Sequence, residues 1–544
     1  MDFINVINYQ KNNPFRFKVK NRKNSVNINL CYKYAAAISA STTVAGYGMI
    51  ISWTSPALPH LLSTKSTFPV TEMQGSWVAS LLSFGIIIGY ILNPFLIDTI
   101  GSKRTLLFLA VPQIISCLLI YFGQNWIVLC VARIIGGIGY GGGLCSTAIY
   151  VSQIGDENNR GFFLTFVKMF FNIGVFVTMI FGAFLQYNIM NLAILGIPLF
   201  FVITFFFMPN TDQFCEKGEY VQEKLTDNDN NEGQIDAFKI HNCFDGNLKD
   251  STVAKNLNDI KNSAENSKSI KNITNGDKNK EIPHHVLLNA NDILKISMNN
   301  ENNENTNQNS TNKIKSKSQK NNWYKLFVQK NNRRALIIIV SASLTEILSG
   351  HMAIVSFAQQ IFEYSSGFLR AEYAALILSG LKIGASFFST LVVEKFERRH
   401  IFLITGLLAS LSQASVGVFF FLKLYMNMDV SSITWLPLVG VSAYEVVGSI
   451  GMSSLYYVYQ GELFANEIKG QGVTCTNITY EIITFLVKLN FQLIIDAVGI
   501  YSVFWAFSCC CAIGSCVTYW ITPETKGKSR REIQKLLGDK SENF

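Results

Sequence analysis

Twelve apolar runs, each long enough to cross the roughly 30 Å hydrocarbon core of a bilayer, divide this chain into two sets of six. The first set is Tyr32–Trp53, Gln74–Ile97, Thr105–Phe122, Trp126–Val151, Gly161–Tyr187 and Asn191–Met208. The second is Arg334–Phe362, Ala371–Val393, Ile401–Leu422, Ile433–Tyr459, Gly472–Ile495 and Tyr501–Ile521. Runs of this length exceed barrel strands about twofold, and open strands would leave backbone groups unpaired in lipid. The pattern predicts an all-α membrane protein with twelve transmembrane helices in two halves.

Short polar turns punctuate the runs, and two of them match. DTIGSKR (Asp98 to Arg104) follows span 2, and EKFERR (Glu394 to Arg399) follows span 8. Each passes from an acid to a pair of bases, so one half echoes the other. Basic residues collect after the even spans, at Lys103, Arg104, Arg160, Lys395, Arg398, Arg399 and Lys469, while the opposite turns hold little beyond Lys65, Arg370 and Lys423. Cytosolic loops carry the excess of Lys and Arg, which puts the even turns and both termini in the cytosol.

Composition agrees with the pattern. The chain has 544 residues, 49% hydrophobic and 15% charged, with a mean hydropathy of +0.24. The formal charge of +9 sits in membrane-flanking turns and one low-complexity segment. That is positive-inside bias and not a nucleic-acid groove. Nine of the eleven cysteines lie in or at the ends of apolar runs with no paired CxxC array, which predicts buried thiols, no disulfide framework and no metal. No leader with a small-residue cleavage site precedes the first run, so a cytosolic tail is expected over residues 1–31. The six-helix halves then cover 32–208 and 334–521, and a second tail covers 522–544.

Residues 209–333, rich in Asn, Lys, Asp, Glu and Ser, cannot bury a core and are expected to form a mostly disordered cytosolic linker. It reads either as an expanded connector or as a tail that recruits a cytosolic partner. The sequons at Asn272 and Asn309 fall in it and the one at Asn477 falls in a span, so none is expected to be glycosylated. Trp323 to Val328 is amphipathic and suits the inner membrane surface before span 7. In span 4, Arg133, Gly137 and Gly141 recur on one helix face; small residues at that spacing allow close helix contact, and a guanidinium in a span needs a carboxylate or an inward face.

These strings resemble the sugar porters of the major facilitator superfamily, in particular the insect facilitated trehalose transporter group. PETKGKS (Pro523 to Ser529) is similar to the family string after span 12, and Ser529 with Glu532 then has capping-box spacing for a short helix. DTIGSKR resembles the family's DxxGRR turn, with Ser102 for the first Arg. Arg133 with Gly137 and Gly141, the Arg160–Gly161 pair, and GELFANEIKG (Gly461 to Gly470) resemble further family strings, as do SWTSPALPHLL and QGSWVASLL near the start. The resemblance spans all twelve helices, omits the linker, and implies the major facilitator fold with alternating access. It also groups the gate residues. Asp98, Glu394 and Glu462, with Lys103, Arg104, Arg133, Arg160, Arg398, Arg399 and Lys469, are expected near the cytosolic ends of spans from both halves. Paired across the halves they would hold the inner face shut, at about 0.2–1 kcal/mol for each exposed pair.

The cavity side departs from the family. EILSGHMAIVSF (Glu346 to Phe357) stands where sugar porters read QQLSGINAVIFY, so Glu346 and Ile347 replace both Gln and Met352 replaces Asn. Lys168 stands for a Gln of span 5, Tyr457 for a Trp of span 10, and Tyr480 with Glu481 for the usual Asn and Trp of span 11. Ala148 and Gln153 replace the Pro and Glu of PxYxxE. A site that hydrogen-bonds hydroxyls loses orders of magnitude when partners go missing. Charged residues within spans usually face a cavity or each other, and the resemblance implies a substrate role for Lys168, Glu346, His351, Tyr457 and Tyr480. A structural pairing of Lys168 with Glu346 and a packing role for His351 stay open; Glu445 and Lys488 are expected near membrane surfaces.

Proton-linked sugar porters carry an Asp in span 1 where this chain has Gly48, which favours facilitated diffusion, although a buried Glu346 or Glu481 could titrate. There is no Walker loop, no HExxH and no nucleophile constellation, so no enzyme activity and no cofactor are expected. The leading reading is a monomeric plasma-membrane carrier of a sugar or related polar solute. A carrier of a charged organic solute, suggested by Lys168 and Glu346, and a non-transporting sugar sensor are the rivals.

Overall fold

Helix is the only extended regular structure among the described residues of the computed structural model, which are 22–64, 66–154, 160–208, 324–365, 367, 369–465, 468–528 and 530–539. The linker lies outside them except for its last residues, so its predicted disorder and sequons fall on residues that are not described. Among the described residues, eleven helices are long and apolar enough to cross a membrane. The twelfth, Lys469–Val498, is 30 residues long but carries Glu481, Lys488 and many hydroxyl and amide side chains. The outcome is a twelve-helix bundle in two halves.

Three spans are broken or extended where the apolar pattern alone reads continuously. Span 1 runs on beyond Trp53 as a second helix, Thr54–Leu62, across Pro56 and Pro59. Span 7 consists of Lys330–Leu348 and His351–Ser365, and span 10 of Leu436–Ile450 and Met452–Glu462. Gly350 makes the break in span 7 possible. Its φ of 84° is strained for any side chain, and a Cβ there would meet the Phe507 ring at 2.3 Å.

Small residues bring spans 2 and 4 together, as their spacing predicts. A Cβ on Gly137 would lie 2.3 Å from the Leu82 carbonyl, and one on Gly85 would lie 2.2 Å from that of Ile134. Span 2 starts at a capping box: Gln74 N–H donates to Thr71 Oγ1 at 3.3 Å and Thr71 N–H donates to Gln74 Oε1 at 3.0 Å. Glycine also shapes the turn after it, since Gly101 has a φ of 81° and its N–H closes the helix on Ile97 at 2.9 Å.

The halves meet along spans 1 and 7, 2 and 11, and 5 and 8. On the predicted outer side, the Gln359 N–H donates to Ser55 Oγ at 3.1 Å, and Gln492 donates to Glu72. The expected short helix after span 12 is Arg530–Asp539. It buries Ile533 and Leu537, while Gln534 Nε2 donates to the Leu463 carbonyl at 2.7 Å and Arg334 donates to the Leu537 carbonyl at 2.8 Å.

Candidate functional site

Between the halves lies a polar centre drawn from spans 1, 5, 7, 8, 10 and 11. Lys168 of span 5 reaches into the second half, where Nζ donates to the Ser449 carbonyl at 3.2 Å and to Ser454 Oγ. The Ser449 carbonyl is available because the helix is interrupted at Gly451, two residues on. Glu346, near the end of the first span 7 helix, is 4% exposed. Ser453 Oγ donates to its Oε1 at 2.5 Å, and Oε2 has no hydrogen-bond partner among the described residues. Lys168 lies within electrostatic reach of Glu346.

Aromatic rings line the same place. Tyr480 stacks on Tyr456 at 5.5 Å, and Tyr456 meets Tyr457 at 5.2 Å. Tyr457 is 54% exposed although Glu346 and Glu481 of its own half lie within electrostatic reach, as do Tyr47 and Tyr90 of the other. Its accessible surface thus lies among ionisable groups of both halves. Tyr47 OH donates to Glu481 Oε1 at 3.3 Å, joining spans 1 and 11. The structure therefore brings together four of the five residues expected at the substrate site: Lys168, Glu346, Tyr457 and Tyr480.

His351 is the exception. It is 7% exposed, with Nδ1 3.1 Å from Glu445 Oε2 and Nε2 3.4 Å from Lys382 Nζ. Both ring nitrogens face protein partners, so the imidazole offers none to a solute. Glu445 and Lys488 are both buried in the protein, being 2% and 0% exposed. Lys488 lies within electrostatic reach of Glu481. Lys382 was not singled out from the sequence, although a lone lysine midway along the apolar run Ala371–Val393 is a signal of its own.

Among the described gate side chains, Lys103 of the first half and Arg398, Arg399, Glu462 and Lys469 of the second make contacts within their own half. Lys103 donates to the carbonyls of Phe206, at 3.3 Å, and Met208, and Ser102 donates to Gln153 Oε1 at 2.9 Å. Asp98 and Arg104 are exposed beside them. In the other half Arg398 pairs with Glu462, while Arg399 donates to the Tyr519 carbonyl at 2.7 Å and lies over the Tyr519 ring at 4.1 Å. Lys469 Nζ donates to the Gly461 carbonyl at 2.9 Å. The side chains of Arg160 and Glu394 lie outside the described residues. The contacts of Ser102, Lys103, Arg398, Arg399 and Lys469 among the described residues thus brace each cytosolic turn on its own half, while Gln359 with Ser55 and Gln492 with Glu72 join the halves on the outer side.

Arg133 is corrected outright. It sits seven residues, about 10 Å of helix, from Trp126, at the outer end of span 4 and far from the cytosolic turns. It is 0% exposed, donates to the Val78 carbonyl at 3.1 Å and to that of Ile50, and lies 5.4 Å over the Trp53 ring. Backbone carbonyls and an indole face take the place of a carboxylate, while Nη2 has no hydrogen-bond partner among the described residues.

Glu524, in the PETKGKS string, is the hub that the sequence reading passed over. It accepts from the backbone N–H groups of Arg398 at 3.3 Å, Arg399 at 3.1 Å and Lys526 at 2.9 Å. Partial burial pushes its carboxyl pKa up, but these backbone donors outweigh it and hold the value below the usual range. A depressed carboxyl contributes stability above its unfolded value and loses it as pH falls through the folded one. Glu524→Gln is therefore expected to cost about 1 kcal/mol at neutral pH after solvent screening. Thermal unfolding in detergent should show the gap to the parent narrowing below about pH 4.

The sequence matches the family model described as sugar (and other) transporter over residues 2–259 and 284–537. The chain belongs to that family. It is 26% identical to the facilitated trehalose transporter Tret1 of Aedes aegypti over 92% of its own length and 55% of that protein's. Against the protein of the same name from Culex quinquefasciatus it is 26% identical, covering 92% of itself and 85% of the relative. The chain thus spans little more than half of the first relative and most of the second. Its fold is that of the D-xylose–proton symporter, with a TM-score of 0.63 at 15% identity over 92% of this chain and 100% of the other. A structure described as the inward open conformation of the xylose transporter XylE from E. coli gives 0.62 at 15% identity, covering 93% and 99%. This member of the sugar transporter family is an integral membrane protein with the major facilitator fold.

Proposed function

We propose that this chain carries a sugar or a related polar solute across the plasma membrane by facilitated diffusion, its halves rocking about the polar centre. The observation that carries the reading is that Lys168 and Glu346, from opposite halves, lie within electrostatic reach of each other beside a wall of tyrosines. A hydroxyl can donate to the unpartnered Glu346 oxygen and accept from the ammonium, so an acid–base pair can read adjacent hydroxyls where amides do so in sugar porters. The relatives' names, facilitated trehalose transporter and xylose transporter, support a sugar as cargo. Position 48 supports facilitated diffusion: a Cβ there would lie 2.1 Å from the Phe171 carbonyl, leaving no room for the span 1 carboxylate of proton-linked porters.

The same charges suit a second reading, a charged organic solute. Counterflow by purified protein in liposomes separates the two. A panel of labelled trehalose, hexoses, pentoses and polyols is expected to give saturable exchange for at least one member. Exchange of an organic ion alone, abolished in Glu346→Gln, would favour the second reading, and no flux of any solute would sink both.

A further inference from the structure

Within electrostatic reach of Lys168, three ionisable side chains from three spans of the second half meet away from solvent. His351 opens the second helix of span 7, directly after the break at Gly350; Lys382 lies midway along span 8; Glu445 lies in the first helix of span 10. Lys382 Nζ is 3.0 Å from Glu445 Oε2, His351 Nδ1 is 3.1 Å from the same oxygen, and His351 Nε2 is 3.4 Å from Lys382 Nζ. Their exposures are 7% for His351, 4% for Lys382 and 2% for Glu445.

An ammonium only donates, so Nε2 accepts from Lys382 and the ring proton sits on Nδ1 facing Glu445. A second proton on Nε2 would set a positive imidazolium against the ammonium. Proton binding at Nε2 and the seating of Lys382 therefore exclude each other.

Lys382 lies one helical turn from a contact between the halves. One helical turn on, Ser386 Oγ accepts from Asn172 Nδ2 of span 5 at 2.6 Å, and span 8 packs along span 5. Other ionisable groups surround the triad. Lys168 of span 5 lies within electrostatic reach of Lys382 and disfavours further positive charge, and Tyr444 adjoins Glu445 while bonding Ser349 at 2.7 Å. Glu346 lies on span 7 itself, Glu481 and Lys488 lie on span 11, and His60, on the outer helix of span 1, stacks on Tyr187 at 4.6 Å.

We propose that His351, Lys382 and Glu445 form a proton-binding site that is closed while the halves are seated as here and opens at His351 Nε2 when span 8 withdraws Lys382. By linkage, a proton that binds only the unseated form shifts the protein towards it. Acid pH then loosens the outer contact between spans 1 and 7. Because this rests on the proposed rocking of the halves, its test reads conformation and not flux, so that a protein moving no sugar still reports on the site.

The full chain in lipid nanodiscs is compared by hydrogen exchange of the peptide spanning residues 351–362 at about pH 7.5 and about pH 5.5, with intrinsic exchange rates corrected for pH. The opening constant of the parent is expected to rise about fivefold or more at the lower pH. His351→Gln should show no such rise. Lys382→Gln, which frees Nε2, should show the more open form already at the higher pH. No pH response in the parent overturns the proposal, as does an equal response in His351→Gln. If that variant does not fold, a Lys382→Gln protein as closed at the higher pH as the parent overturns it.

Discussion

Lys382→Met is expected to lower the unfolding free energy by about 3–5 kcal/mol, because it leaves the Glu445 carboxylate buried with its strongest partner gone. Glu445 is 2% exposed, and apart from the ion contacts of Oε2 with Lys382 and His351 neither carboxylate oxygen has a hydrogen-bond partner among the described residues, so it has little else to rely on. Thermal unfolding in detergent at neutral pH measures the loss. The cost belongs to the broken pair and not to the absence of charge. A matched apolar triple variant, His351→Leu with Lys382→Met and Glu445→Leu, is therefore expected to recover most of it, since well-packed hydrophobic residues often replace a buried ion group without penalty. A Lys382→Met protein as stable as the parent would show that the triad contributes nothing to holding spans 7, 8 and 10 together.

Glu346→Ala is expected to reduce counterflow of the transported solute by about 10- to 100-fold, the equivalent of one hydrogen bond to a charged group at roughly 1.5–3 kcal/mol. Lys168→Ala should cost a similar amount, and the double variant less than the product of the two, because both groups address one solute. The cycle distinguishes substrate contact from a purely structural pair. A structural pair lowers thermal stability in each single variant and leaves substrate affinity unchanged in whatever protein survives; contact with solute does the reverse. The Lys168 side chain also bridges the halves through Ser449 and Ser454, so some change in maximal rate is expected beside the change in affinity.

The spans were legible because lipid leaves the backbone few choices: an apolar run of about 20 residues must be helical, and the excess of Lys and Arg in alternate turns sets its direction. The breaks were less legible. Leu348, Ser349 and Gly350 read as one apolar stretch, and only the positive φ at Gly350 with the Phe507 ring against it marks where span 7 divides. At the cytosolic turns the residue types were visible but their partners were not. Backbone donors that converge on Glu524 come from Arg398, Arg399 and Lys526, on chain segments more than a hundred residues apart, and backbone groups carry no sequence signal. Arg133 misled for the same reason, since its partners are backbone carbonyls and an indole face, with no carboxylate to find.

The sequence by itself determined a twelve-span membrane protein in two echoing halves, the family to which it belongs, and the unusual charges at positions 168 and 346. Tertiary structure decided which charges meet. Three side chains, one apiece from spans 7, 8 and 10, form the buried triad of His351, Lys382 and Glu445, and only packing brings them within 3.0 to 3.4 Å. Hydropathy sums over neighbours along the chain, whereas a buried charge is stabilised by whatever reaches it through space.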